Sequence, residues 1–268
     1  MTESAMMIAL ATVLSTIQLM NLPMGGSVTA FSMVPILIIA YRYGTGWGLF
    51  TGAVYGVFQM LLGMENLRYG TSLWAVLIII LFDYVVAFGV LGLGGIFRGK
   101  LRNSQPLELA AGALLGSVLR YICHFISGWV VWGVWAPEGM PAWQYSLGYN
   151  ATYMVPEAII SVVGVSLLAL YLDFTSEIIT RRTKKEDAAY ERNPIAFAAK
   201  LAGIGTVCTG ILSAIFDAVN VLLTEDLELD TNALLIKLIG SIVVGVILLA
   251  IGEIVQILHD LRAEKRNH

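Results

Sequence analysis

Residues 74–97 read WAVLIIILFDYVVAFGVLGLGGIF, and Asp83 is the one charged side chain in the run. A helix needs about 20 predominantly apolar residues to cross the hydrocarbon of a bilayer. This run has that length, so its backbone can satisfy its own polar groups only as a spanning helix. The rest of the chain agrees. It is 57% apolar and 13% charged with a mean hydropathy of +0.78, against about 25% charged residues in a soluble domain. No alternating ten-residue pattern of a membrane barrel is present. The fold class expected is an all-α integral membrane protein.

The apolar periodicity predicts helices near 5–20, 32–43, 46–63, 74–97, 107–134, 149–173, 195–223 and 232–258. The first run follows Met1-Thr2-Glu3-Ser4 without a basic n-region or a small-x-small cleavage site, so it reads as a retained helix. The second is short and opens at Ser32-Met33-Val34-Pro35, which suits a partial span. Leu22-Pro23-Met24-Gly25-Gly26-Ser27 before it reads as a turn or loop.

Charge sets the orientation. With the N-terminus inside, the inner positions hold Arg42, Arg98, Lys100, Arg102, Arg181, Arg182, Lys184, Lys185, Arg192, Lys200, Arg262, Lys265 and Arg266. Basic residues gather on the cytoplasmic side of membrane proteins, so both termini are expected to be cytoplasmic. Residues 175–194 mix charge, helix formers and a closing proline and read as a linker, dividing a six-helix domain at 1–174 from a two-helix membrane hairpin within 195–268. Glycines at four-residue spacing, Gly48, Gly52 and Gly56, and Gly112 with Gly116, suit close helix packing. Cys123 and Cys208 lie in apolar runs and read as small buried hydrophobes.

A charge inside the bilayer costs at least about 2.5–3.5 kcal/mol on insertion scales, so each one asks for a partner or a function. The orientation above places Asp83, His124 and the Tyr145-Tyr149-Asn150 group at one level, in the outer halves of three helices. Steps of four put Arg120, His124, Gly128 and Trp132 on one helix face. Gly128 would leave room for a flat ligand, Asp83 can accept from an amino group, Asn150 can donate and accept, and Trp132 can cover a cation with its π-face. Two plainer readings stand beside this one. Trp129, Trp132, Trp135 and Trp143 fit an interfacial aromatic belt, and Arg120 could neutralise Asp83 or Glu157 in a structural ion pair.

Other chemistries find little support. Gly94-Gly-Ile-Phe-Arg-Gly-Lys-Leu101 nearly fits a phosphate loop, but Leu101 replaces the required Ser or Thr and a membrane helix precedes it. No Cys/His spacing suits a metal, no cofactor is implied, and no basic patch with interleaved aromatics suggests nucleic acid. An intramembrane enzyme using His124 and Asp83 as an acid–base pair, and a structural or sensory protein, are the rivals to a binding protein.

The runs Leu22-Pro-Met-Gly-Gly-Ser-Val-Thr, Met33-Val-Pro-Ile, Phe82-Asp-Tyr-Val-Val-Ala-Phe88, Leu119-Arg-Tyr-Ile-Cys-His-Phe-Ile-Ser-Gly128 and Tyr145-Ser-Leu-Gly-Tyr-Asn-Ala-Thr-Tyr-Met-Val-Pro156 resemble the thiamine-specific S component of energy-coupling factor (ECF) transporters. The resemblance covers about residues 3–174. It implies a six-helix bundle in a bacterial cell membrane that captures thiamine from outside as cargo and associates with a transmembrane T component and two ATP-binding subunits. A thiamine precursor or another vitamin is the alternative ligand. By position it implies that Asp83, Tyr145 and Asn150 meet the aminopyrimidine ring, that His124 and Trp132 flank the thiazolium, and that Gly128 and Tyr84 lie near the hydroxyethyl end. It also implies that Ala5 and Ala9 lie on the face offered to the T component. Leu73-Trp74 stands where the pattern would have a tyrosine contact, and residues 175–268 lie outside the resemblance.

Overall fold

A helix that is apolar all round must be covered on every side, and this chain has one: Val34 through Arg42 are all buried. The computed structural model describes residues 1–101 and 104–182, positions 196, 199, 200, 203, 206, 207 and 210, and the helix at 231–267. Two units result, Met1–Arg181 and Arg182–His268. The first holds α1 (Thr2–Ser15), a hairpin of β1 (Gln18–Asn21) and β2 (Ser27–Thr29), α2 (Val34–Tyr43), α3 (Thr45–Leu62), α4 (Leu73–Phe97), α5 (Gln105–Val130), α6 (Ala142–Tyr171) and a second hairpin of β3 (Leu172–Asp173) and β4 (Thr180–Arg181). α2 touches α1, α3, α4, α5 and α6. At about 1.5 Å per residue its 10 residues reach only half of the hydrocarbon.

Among the described residues four helices are long and apolar enough to cross a membrane: α4, α5, α6 and residues 235–262. The chain is an all-α membrane protein, and among the described residues strands are confined to the two short hairpins. Several boundaries differ from the sequence reading. α1 stops at Ser15 because 18–21 pair with 27–29 across the Asn21–Gly26 turn. α6 begins at Ala142, so Tyr145 stands inside the helix rather than before it. α5 ends at Val130 and Trp132–Trp135 form a separate tight turn. Residues 175–181, expected as linker, belong to the first unit. Arg42 collects the carbonyls of Phe174, Ser176 and Glu177 and pairs with Glu3, while Gln105 binds both faces of the 169–174 backbone.

The glycine spacing does what close packing requires. A Cβ at Gly52 would stand 2.4 Å from the Phe88 carbonyl oxygen, and one at Gly56 would stand 2.5 Å from that of Tyr84. Side chains of ordinary size would therefore push α3 off α4. α4 itself is irregular: α-helical to Ile78, π-helical over Ile79–Val85 and 3-10 over Val90–Phe97.

Two charges are taken into the middle of this unit. Arg120 of α5 lies 2.6 Å from Glu157 of α6, and both are buried. Thr29 donates to the second Glu157 oxygen at 2.5 Å, and the Arg120 guanidinium lies 4.3 Å from the Phe88 ring centroid, within 3.1 Å of Met33 Sδ. The Glu157 alternative is thus the one Arg120 takes.

The second unit contains α7 (Thr231–Asn267). Its Gly245 meets Gly203 and Val207, its Gly252 meets Ala196 and Lys200, and Ser241 meets Gly210, which is the order of an antiparallel pair. Lys200 and Glu253 form an ion pair along this seam. Cys208, Asp217 and Asn220 lie outside the described residues.

Glu157→Ala leaves the Arg120 charge buried without its partner, which costs about 3–5 kcal/mol. Thermal unfolding in detergent should show a large fall in midpoint for Glu157→Ala and a smaller one for Glu157→Gln.

Candidate functional site

At the end of the first unit where α5 finishes and α6 starts, an open-mouthed cavity lies between α3, α4, α5, α6 and the turn at 24–27. All seven residues expected at a ligand site, Asp83, Tyr84, His124, Gly128, Trp132, Tyr145 and Asn150, border it. The π-helical turn is what brings α4 into position. At about 3.6 residues per turn Ile79 and Phe88 would point to opposite sides of a straight helix. The wider turn between them lets Ile79, Asp83, Tyr84 and Phe88 all face the cavity.

Asp83 is held from α5 and the turn after it. Oδ1 lies 3.1 Å from His124 Nδ1, while Oδ2 accepts from Ser127 Oγ at 2.7 Å and from Trp132 Nε1 at 3.1 Å. With the carboxylate as acceptor, Nδ1 is the donor, and the buried His124 Nε2 has no hydrogen-bond partner among the described residues. The Trp132 ring packs on Tyr69, with centroids 5.2 Å apart, and Tyr69 also meets Trp135 edge-on at 5.9 Å. Leu73 and Trp74 point away and are 75% exposed. Tyr69 packs behind Trp132 and does not itself border the cavity.

Asn150 is bonded at both ends within the protein. Its Nδ2 donates to the Ser146 carbonyl at 2.9 Å and to the His124 carbonyl at 3.2 Å, and its Oδ1 accepts from Tyr153 at 2.5 Å. Tyr84 donates to the Gly63 carbonyl and accepts from Asn66, each at 3.2 Å. Gly128 corrects one expectation. Its missing side chain does not leave open room, because a Cβ there would stand 2.2 Å from Ser146 Oγ and 2.9 Å from Asn150 Nδ2. Glycine is required at this point so that α5 and α6 can touch.

Tyr145, Tyr149 and Tyr153 recur every four residues and form a ladder up α6, with successive centroids 5.9 Å apart and His124 5.9 Å from Tyr153. Tyr145 and Tyr149 were expected at this level from the sequence; Tyr153 was not, and it borders the cavity with them. Tyr149 joins the ladder to the hairpin turn. Its hydroxyl accepts from Gly26 N at 3.1 Å and donates to the Pro23 carbonyl, and Tyr145 reaches Met24 Sδ at 3.5 Å. Met24 and Gly25 both have positive φ, at 64° and 91°. Gly26 fits under Tyr149 only because it has no side chain. Ala5 and Ala9 are exposed on α1, opposite its buried Ser4, Ala11 and Ser15.

The sequence of the first unit matches a known family. The model of the family described as thiamine transporter protein (Thia_YuaJ) matches residues 1–176. The chain belongs to this thiamine transporter family. It is 38% identical over 176 residues to the thiamine transporter ThiT of Bacillus subtilis (strain 168), covering 62% of this chain and 88% of that protein. With ThiT of Lacticaseibacillus paracasei it shares 29% identity over 147 residues, 52% of this chain and 71% of that one. A solved structure of ThiT from Listeria monocytogenes matches with a TM-score of 0.53 at 25% identity, covering 63% of this chain and 91% of that chain. The family match ends at 176, so the second unit lies beyond what the thiamine transporter model describes.

Tyr149→Phe removes both bonds to the turn while keeping the ring. A cysteine placed at Met24 should then react several-fold faster with a water-soluble maleimide than in the parent; an unchanged rate would show that the turn is held without Tyr149.

Proposed function

We propose that this chain captures thiamine in the cavity between α4, α5 and α6, as the substrate-binding S component of an ATP-driven ECF vitamin importer. Membership of a thiamine transporter family supports a transport role. The observation that carries the ligand assignment is the charge balance of the cavity wall. Arg120 borders it but is matched by Glu157, so the charge left facing the cavity is the Asp83 carboxylate, set among the rings of Trp132, Tyr145, Tyr149 and Tyr153. A flat ligand with a hydrogen-bonding ring and a permanent positive charge suits that wall, and thiamine carries both in its aminopyrimidine and thiazolium.

The residue roles follow from the groups still able to bond. A carboxylate offers about four lone-pair sites, and Asp83 uses three, so one remains for an amino group on the ligand. The His124 ring forms part of the wall, with its buried Nε2 left without a hydrogen-bond partner among the described residues. Trp132, fixed by Asp83 and Tyr69, offers a π-face to a cation, an interaction of about 0.5–2 kcal/mol. Asn150 acts chiefly by holding α6 to His124, with one Oδ1 lone pair left. Tyr84, Tyr145 and Gly128 complete the wall. The partners of the reading are a T component, met through the Ala5–Ala9 face of α1, and two ATP-binding subunits, with the cavity opening outward and both termini cytoplasmic. Thiamine is cargo and leaves unchanged, and no cofactor takes part.

Calorimetry and tryptophan quenching with thiamine test the reading on detergent-purified protein. Binding should be tight, and Trp132→Ala and Asn150→Ala should each weaken it by about tenfold or more, the range that losing a cation–π contact or a buried hydrogen-bond hub allows. No heat and no quenching would overturn the thiamine assignment, and preference for a precursor in competition would move it to that ligand.

A further inference from the structure

Hydroxyls on membrane helices ordinarily bond back to a carbonyl three or four residues earlier in their own helix. Thr12, Ser15, Thr16, Thr152 and Ser166 all do so here, to Ile8, Thr12, Val13, Tyr149 and Val162. Ser127 does not. Its hydroxyl leaves α5 and donates to Asp83 Oδ2 of α4 at 2.7 Å, the shortest of the three bonds that carboxylate accepts. Ser127 is completely buried and does not border the cavity, whereas Asp83 does.

The geometry gives this bond a consequence beyond packing. His124 holds one carboxylate oxygen, and Ser127 together with Trp132 holds the other. Two donors from one turn of α5, three residues apart, fix the plane of the carboxylate, and the shared oxygen fixes the indole N–H of Trp132 against it. A bond to an ionised acceptor is stronger than one between neutral groups, so Ser127 has reason to forsake its own helix. Without it, the carboxylate could turn about its last torsion, carrying the remaining lone pair and the Trp132 ring out of register.

We propose that Ser127 is a positioning residue for ligand capture: it touches no ligand, and it acts by fixing the Asp83 carboxylate and, through that, the Trp132 indole. The proposal rests on the thiamine reading for its ligand. Its test is a double-mutant cycle on the detergent-purified full chain, with thiamine affinity measured by calorimetry for the parent, Ser127→Ala, Asp83→Asn and the double variant, and with Ser127→Thr as rescue. Ser127→Ala should weaken binding about tenfold, the size of one hydrogen bond to a charged group, and should lower the ligand-free unfolding midpoint modestly, since the same buried bond is present without ligand. Ser127→Thr should restore affinity to within about twofold, and in the Asp83→Asn background the same alanine should add less than about twofold, since coupled residues are non-additive. Independent of any ligand, the resonance Raman band that reports indole N–H hydrogen bonding, isolated for Trp132 by difference from Trp132→Phe, should shift in Ser127→Ala. An affinity unchanged by Ser127→Ala, an equal loss in both backgrounds, or an unshifted indole band would each overturn the proposal. A parent protein that binds no thiamine would instead overturn the ligand assignment, and the indole band would still decide the role of Ser127.

Discussion

The Arg120–Glu157 pair is the constraint around which the first unit is arranged. Removing two full charges from water costs several kcal/mol per ion, and their attraction offsets this only when the remaining lone pairs and protons are also satisfied. That condition recruits neighbours from across the fold: Thr29 of β2 onto Glu157, Met33 just before α2 onto Arg120, and the Phe88 ring of α4 against the guanidinium. Three helices, a hairpin and the residue that leads into α2 are thus committed to one point. The pair also decides what the cavity above it can hold. A cavity lined by a free arginine would favour anions, but this arginine is neutralised by Glu157, so Asp83 sets the sign.

Placing Asp83 correctly is a problem of helix geometry as much as of charge. α3 comes close enough to meet the α4 backbone because Gly48, Gly52 and Gly56 offer no side chains. The π turn over Ile79–Val85 then lets both Asp83 and Tyr84 face inward, which two consecutive residues of a regular helix do with difficulty. On the opposite side Gly128 removes the one side chain that would separate α5 from Ser146 and Asn150. Lipid supplies no hydrophobic force to hold helices together, so close backbone contact and interhelical hydrogen bonds must do it. The same small residues that pack the bundle therefore define the cavity wall.

The membrane character, the helices of the first unit and the level shared by Asp83, His124 and Asn150 were all legible in the sequence. Each depends on composition, periodicity or charge placement, which are properties of single segments. What was not legible depends on pairs of segments. The hairpin of residues 18–29 carries too few residues to outweigh the helical pattern beside it. The π turn leaves no mark in a run that is apolar on every face. Gly128 read as open space because its occupants, Ser146 and Asn150, come from another helix. The packing of Tyr69 against Trp132 was not legible either, because it depends on how the turn at 64–69 meets the segment after α5. Arg120 offered two acidic partners in the sequence, and only the packing of α5 on α6 selects Glu157.

Almost every polar group around the cavity is already bonded to protein. Asp83 has three donors, Asn150 is used at both ends, and Tyr149 ties the hairpin turn to α6. A site built this way loses little side-chain freedom when a ligand arrives, and lost freedom is a main cost of association. It also keeps its charges and dipoles oriented in a low-dielectric setting, where an unpaired group is expensive. On the proposed function, ligand contacts would come from the few groups left over: one lone pair on Asp83, one on Asn150 and the faces of aromatic rings. Those leftovers are directional and few, so discrimination among flat cations depends on how rigidly the bonded majority holds them. Residues such as Ser127 and Tyr149, which fix other residues, therefore belong to recognition as fully as the groups that would touch the ligand.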